Sequence, residues 1–196
     1  MATIGILGGT FDPPHNGHLL LAECARVQFG LERLLFLPAG DPYRKAGRGV
    51  SSAEHRAAMV RLATQDNSRF EVDDREARRD GPTYTADTLE TLLAEGVERP
   101  FLILGLDALR DMPQWSRPQR IAELAEIVIA AKGGAVDEIA SAAEAAGLGE
   151  TPTLVDMPDL AISSTMIRER VAEGLPIGDL VPQSVDRYIR DHRLYI

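Results

Sequence analysis

Short apolar runs alternate with amphipathic stretches from one end of the chain to the other, and this alternation limits the fold more than any other feature. The runs lie at Thr3–Leu7, Arg33–Leu37, Phe70–Val72, Phe101–Leu104, Ile127–Ala131 and Thr153–Val155. They are continuous in hydrophobicity and mostly bounded by Gly, Pro or charge, as strands buried on both faces should be. Helices are expected over 18–29, 52–65, 85–95, 117–125, 136–146, 164–173 and 182–191. Ser51-Ser-Ala-Glu54 has capping-box spacing, and Ser116-Arg-Pro118 sets a proline near a first turn. The pattern predicts an α/β fold, a Rossmann-like doubly wound parallel sheet, as a single domain over residues 1–196. Residues 39–50, with Gly40, Pro42, Gly47 and Gly49, read as a long functional loop above the sheet.

Composition narrows the class. With 44% hydrophobic and 26% charged residues the chain can build one proper core. A lone cysteine, Cys24, rules out an internal disulfide and a Cys-based zinc cluster. The opening apolar run reads as a strand rather than a signal peptide, and no run approaches the ~18–20 residues of a membrane span. A cytoplasmic protein with no membrane partner is expected; the sequence is silent on oligomeric state.

The net charge of -9 argues against a nucleic-acid binder, which needs a basic footprint. It also stands against a polyanionic substrate, until its distribution is read. Residues 133–167 hold six acids and no Lys or Arg, which is -6 of the -9. Residues 44–61 hold Arg44, Lys45, Arg48, Arg56 and Arg61 against Glu54 alone. The local field outweighs the bulk figure.

Two motifs carry chemistry. Gly8-Gly-Thr-Phe-Asp-Pro-Pro-His-Asn-Gly-His18 follows the first strand and opens the first helix, where an α/β fold places its ligand crevice. Gly8 and Gly9 let backbone approach a phosphate or base, and His15 and His18 stand at a helix N-terminus suited to polyphosphate. A common strand-to-helix turn or a metal pair are the plainer alternatives, although no ligand cluster stands nearby to complete a zinc site. The second motif is Ile162-Ser-Ser-Thr-Met-Ile-Arg168. Ser163, Ser164 and Thr165 are N-cap residues, and Arg168 sits one turn in, able to grip an anion. Alone it is an ordinary capped helix; beside the first motif it is a candidate anion site.

Together these segments resemble the H-x-G-H and I-S-S-T-x-I-R signatures of the nucleotidylyltransferase superfamily. Arg79-Asp-Gly-Pro-Thr-Tyr-Thr85, Gly105-Leu-Asp107 and Trp115 are similar to segments of bacterial nicotinate-nucleotide adenylyltransferases. The resemblance implies ATP binding by Gly8, Gly9, Thr10, Phe11, His15, His18 and Lys45. On the far side it adds Gly105, Asp107, Ile162, Ser163, Ser164, Thr165 and Arg168. Tyr84, Thr85, Asp107 and Trp115 would receive nicotinate mononucleotide, the indole stacking on the pyridine ring. Asp107 also reads as a helix cap, and Trp115 as a core or lid aromatic. Two positions depart from the family: Pro42-Tyr43-Arg44-Lys45 lacks an imidazole, and Lys132-Gly133-Gly134 lacks the planar fork of an arginine.

The implied reaction is in-line attack by the mononucleotide phosphate on the α-phosphorus of ATP, releasing pyrophosphate. No protein nucleophile is needed, so catalysis rests on alignment and charge neutralisation. Alignment alone supplies roughly 7–11 kcal/mol in the best intramolecular cases. His15 and His18 would hold the α/β-phosphates, and Arg168 with Ser164 or Thr165 the β/γ-phosphates. Mg²⁺ would ride on phosphate oxygens and water, with no protein ligand. Nicotinamide mononucleotide or another phosphorylated acceptor is the nearest rival; a catalytically silent nucleotide sensor would have lost a His or Arg168, and none is lost. Replacing His18 by Ala is expected to cut pyrophosphate release by orders of magnitude while the protein still folds, and near-normal turnover would remove His18 from the site.

Overall fold

Every apolar run becomes a strand, and neighbouring residues in each run serve opposite faces of one sheet. The computed structural model describes residues 3–40, 50–131 and 136–196. Its strands are β1 (Ile4–Gly9), β2 (Arg33–Pro38), β3 (Phe70–Val72), β4 (Phe101–Gly105), β5 (Glu126–Ala130) and β6 (Thr153–Leu154). They pair in parallel in the order β3-β2-β1-β4-β5-β6. Ile4, Ile6, Leu35, Leu37, Leu102, Leu104, Ile127 and Ile129 enter one core. Leu7, Leu34, Phe36, Ile103 and Val128 enter the other.

Helices close both faces. On the first lie α3 (Thr85–Ala94), α4 (Leu106–Asp111), α5 (Pro118–Leu124) and α6 (Val136–Ala145), through Leu89, Leu92, Leu109, Ile121, Leu124 and Ile139. On the second lie α1 (Asn16–Gln28) and α2 (Ala53–Thr64), through Leu21, Ala22, Ala25 and Val60. Each fully buried Leu, Ile or Phe contributes about 1.5–3 kcal/mol. A third, smaller core joins α2 to α7 (Ser164–Ala172) and α8 (Gln183–Asp191) through Met59, Ile167, Val185 and Ile189. No helix among the described residues is long and apolar enough to cross a membrane.

The order fixes the crevice. From β1 the chain moves outward to β2 and β3, then returns to the other side of β1 as β4. Connections therefore diverge between the carboxyl ends of β1 and β4, and an open α/β sheet binds its ligand at that gap.

The structure corrects several expectations. Gly8 and Gly9 are not a turn but the last residues of β1, paired with Leu37 and Pro38. The first helix starts at Asn16, two residues earlier than expected. Ser52, not Ser51, caps α2, accepting from the His55 amide at 3.3 Å, so the expected capping box does not form. Helix α4 was unforeseen: six residues starting directly at Gly105 are too few to show a period. Asp41–Gly49 and Lys132–Ala135 lie outside the described residues, and with them Tyr43, Arg44, Lys45, Lys132, Gly133 and Gly134.

Gly40, just after β2, is one glycine the fold requires, since a Cβ there would overlap the carbonyl oxygen of Glu76. Gly40→Ala is expected to destabilise the protein by about 1–3 kcal/mol in urea unfolding, because a backbone oxygen cannot step aside as a side-chain tip can.

Candidate active site

The carboxyl end of β1 runs straight into the first motif. Phe11 adopts left-handed backbone (φ 50), and its ring drops into the second core, 2% exposed. There it meets His18 edge-on, centroids 5.0 Å apart, and Phe36 at 5.8 Å. What Phe11 can offer a ligand is therefore backbone. Gly9 is glycine because a Cβ would lie 3.0–3.2 Å from that ring. Gly8 and Gly105, at the ends of neighbouring strands, have no atom within 4 Å of where a Cβ would stand. No packing neighbour requires glycine at either position.

His15 is the N-cap of α1 and His18 its third residue. The rings stack, centroids 3.7 Å apart and 23° from parallel. The His15 amide donates to His18 Nδ1 at 3.2 Å, which places the proton of a neutral His18 ring on Nε2 and leaves that nitrogen as a donor. His15 Nδ1 is buried with no hydrogen-bond partner among the described residues. Gly17 must be small: its Cβ would come 3.1 Å from His15 Nδ1. Asn16, between the histidines, donates from its amide to Leu180 O (2.9 Å) and from Nδ2 to Asp179 O (3.0 Å), tying α1 to the segment before α8.

Burial lowers the His15 pKa to about 4. Burial, and then the neighbouring His15, holds His18 well below its ordinary value. Both rings are neutral donors at pH 7 before any anion arrives, rather than fixed cations.

The second motif is bonded to the first. Ser163 caps α7, accepting from the Met166 amide at 3.2 Å. Ser164 Oγ donates to Pro13 O at 2.9 Å, and Arg168 Nη1 donates to Asp12 O at 2.7 Å. Arg168 Nη2 reaches Thr165 Oγ1 at 3.3 Å. Ile162 and Ile167 anchor this helix start in the third core.

The other expected residues stand on separate elements, each following a strand. Tyr84 is the N-cap of α3 and Thr85 its first residue. The turn before them is held by buried Glu76, whose carboxylate accepts from Thr88 Oγ1 (2.6 Å) and Thr83 Oγ1 (3.3 Å). Burial raises the Glu76 pKa against those two hydroxyls. Asp107 lies in the first turn of α4, its side chain 98% exposed and paired with Arg110 at 3.1 Å. Trp115 ends the 3-10 turn Met112–Gln114 and packs against the first core.

Sequence reasoning missed three residues that hold the site. Arg56, read as part of a basic field for phosphate, is 1% exposed and points inward. It donates to the carbonyls of Ser51 (3.0 Å), Thr10 (2.9 Å) and Gly40 (2.5 Å). The signal was available, since Arg56, Val60 and Thr64 share one buried stripe of α2. Arg61, of the same field, pairs with Asp74. Asp12 is 3% exposed, and Tyr195 donates its phenol to Asp12 Oδ1 at 2.7 Å.

The comparisons with known proteins agree with this geometry. A family model described as cytidylyltransferase-like matches residues 6–170. A Roseiflexus sp. (strain RS-1) protein named "Probable nicotinate-nucleotide adenylyltransferase" is 48% identical over 195 residues, covering 99% of this chain and 98% of its own. The chain belongs to the nicotinate-nucleotide adenylyltransferase family. A second member of that family, from Synechococcus sp. (strain JA-3-3Ab), is 44% identical over 98% of this chain and 94% of its own. Among solved structures, Plasmodium falciparum nicotinic acid mononucleotide adenylyltransferase complexed with NaAD is similar with a TM-score of 0.79. It shares 21% identity and covers 100% of this chain and 98% of its own, a likeness of fold. The two sequence motifs thus meet here through direct bonds at the sheet's switch point.

The depressed histidines carry a pH signature. Between pH 6.5 and about 4 the unfolded chain binds a proton at His15 that the folded protein refuses, so stability falls as pH falls through that window. His15→Asn is expected to remove up to about 3 kcal/mol of that pH dependence, read from urea midpoints at pH 7 and pH 4.5.

Proposed function

We propose that the protein transfers the adenylyl group of ATP to nicotinate mononucleotide, forming the deamido dinucleotide and pyrophosphate. The observation that carries this reading is the bonding of Arg168 and Ser164 to Asp12 and Pro13, which sets a guanidinium and a helix start beside the paired histidines. A triphosphate lying there meets His18 Nε2 and the amides of α1 from one side and Arg168 from the other. Gly8 and Gly105 leave room for the nucleoside to lie against the strand ends. The names of the curated relatives supply the acceptor. The α3 N-terminus at Tyr84 and Thr85, which no side chain caps, suits its carboxylate.

The mononucleotide phosphate is its own nucleophile, so the side chains align and neutralise. As charge moves onto the pyrophosphate oxygens, the N–H of the neutral His18 ring can donate a hydrogen bond to them without a buried cation having to be held beforehand. Among the described residues no group of three or more His, Cys, Asp or Glu is placed to hold a metal ion. The two histidines and Arg168 are donors, which fits a magnesium ion held by the phosphates and water. Such an ion draws charge from the phosphate oxygens.

Incubation with ATP, Mg²⁺ and each mononucleotide in turn tests the reading. Pyrophosphate should appear with nicotinate mononucleotide; release only with nicotinamide mononucleotide or another acceptor would overturn the substrate. Gly8→Val should fold normally, valine being at home in a strand, yet raise the KM for ATP about tenfold by filling the crevice. An unchanged KM would place the nucleoside elsewhere.

A further inference from the structure

Left-handed backbone is unfavourable for any side chain with a Cβ, and persists only where its surroundings hold it. Among the described residues four non-glycine positions adopt it: Phe11, Arg117, Arg193 and Tyr195. Three of the four lie beside one hydrogen bond, that from Tyr195 Oη to Asp12 Oδ1. Phe11 (φ 50) immediately precedes the acceptor; Arg193 (φ 51) and Tyr195 (φ 68) bend the segment that brings the donor.

Asp12 is a junction. Its Oδ2 accepts from the Ser51 amide at 3.2 Å, and its carbonyl oxygen accepts from Arg168 Nη1 at 2.7 Å. Burial and the adjoining Asp12 push the Tyr195 phenol well above its ordinary pKa, so it stays a donor across the working range. Its ring and Leu194 pack against the third core. Packing requires the ring alone; the hydroxyl donates to Asp12 and also meets the Ser51 side chain, with Met59 Sδ a distant neighbour at 4.0 Å.

We propose that Tyr195 is a positioning residue for adenylyl transfer: its phenol fixes the Asp12 turn and, through the Asp12 carbonyl, holds the guanidinium of Arg168 where the triphosphate binds. The inference rests on the reading that this crevice takes ATP. It gives a role to a side chain that lies far from the two signatures in sequence and touches no substrate. Removing the hydroxyl frees the Asp12 carboxylate on one side and loosens the carbonyl that Arg168 uses.

Y195F keeps the ring and deletes only the donor. Its kcat should fall about tenfold and its KM for ATP rise severalfold. The KM for nicotinate mononucleotide should stay within twofold, and the melting temperature within a few degrees. The decisive comparison is ATP affinity by calorimetry, without acceptor, for the parent, Y195F, R168A and Y195F/R168A. Acting through Arg168, the Tyr195 change should weaken ATP binding severalfold in the parent and less than twofold once Arg168 is gone. Equal losses in both backgrounds, or a Y195F protein with parental kcat and ATP affinity, would overturn the proposal. Asp12→Asn provides a second variant should Y195F unfold: it presents an amide where the Ser51 N–H needs an acceptor, and its loss should likewise vanish in the R168A background. A parent that releases no pyrophosphate with nicotinate mononucleotide would refute the acceptor, and the ATP titrations would still decide the role of Tyr195.

Discussion

One buried guanidinium holds the carboxyl edge of the sheet together. Arg56 offers its N–H groups to the carbonyls of Thr10, Gly40 and Ser51, at the end of β1, the end of β2 and the start of α2. Carbonyls at strand ends have left the ladder and need donors from elsewhere. A charge so deeply placed is tolerable only because several dipoles converge on it. Ser51 completes the arrangement, giving its carbonyl to Arg56 and its amide to Asp12. The first motif hangs from this frame, with Thr10 and Asp12 bonded to it ahead of the two histidines.

The sheet was legible in the sequence because its physics is local. Six apolar runs, each flanked by breakers, have few ways to hide both faces except as parallel strands under helices. Boundaries shifted where tertiary bonds outweighed local preference. Gly8 and Gly9 read as a turn, yet Leu37 and Pro38 are there to pair with them, and the strand continues. Helix α4 escaped notice because the burial of Leu109 and the pairing of Arg110 with Glu138 sustain it, and neither leaves a period in six residues. The two phosphate motifs were legible as patterns; their contact through Asp12 and Pro13 was not, because it joins residues some 150 positions apart. Arg56 was misread for a related reason. Charge distribution along a chain says how many cations a segment carries, not which way each one faces.

The electrostatics follow a similar logic. A surplus of acid does not conflict with a polyanionic substrate when the groups near the crevice are donors rather than anions. Among the described groups there, the histidines are neutral until a ligand supplies compensating charge. Arg168 is anchored to a carbonyl and a hydroxyl, and neither bond engages a carboxylate. Two neutral rings beside the crevice avoid the cost of holding buried cations there.

The third core has a consequence of its own. The helix that carries Arg168 is fastened through Ile167 to Met59, Val185 and Ile189, a small cluster apart from the two that line the sheet. Units with fewer apolar contacts open at lower free energy than the cores beside them. On warming, α7 and α8 should loosen while the six strands still hold. Catalysis would then disappear at a temperature where circular dichroism still reports an intact sheet, and return on cooling without passage through the unfolded chain.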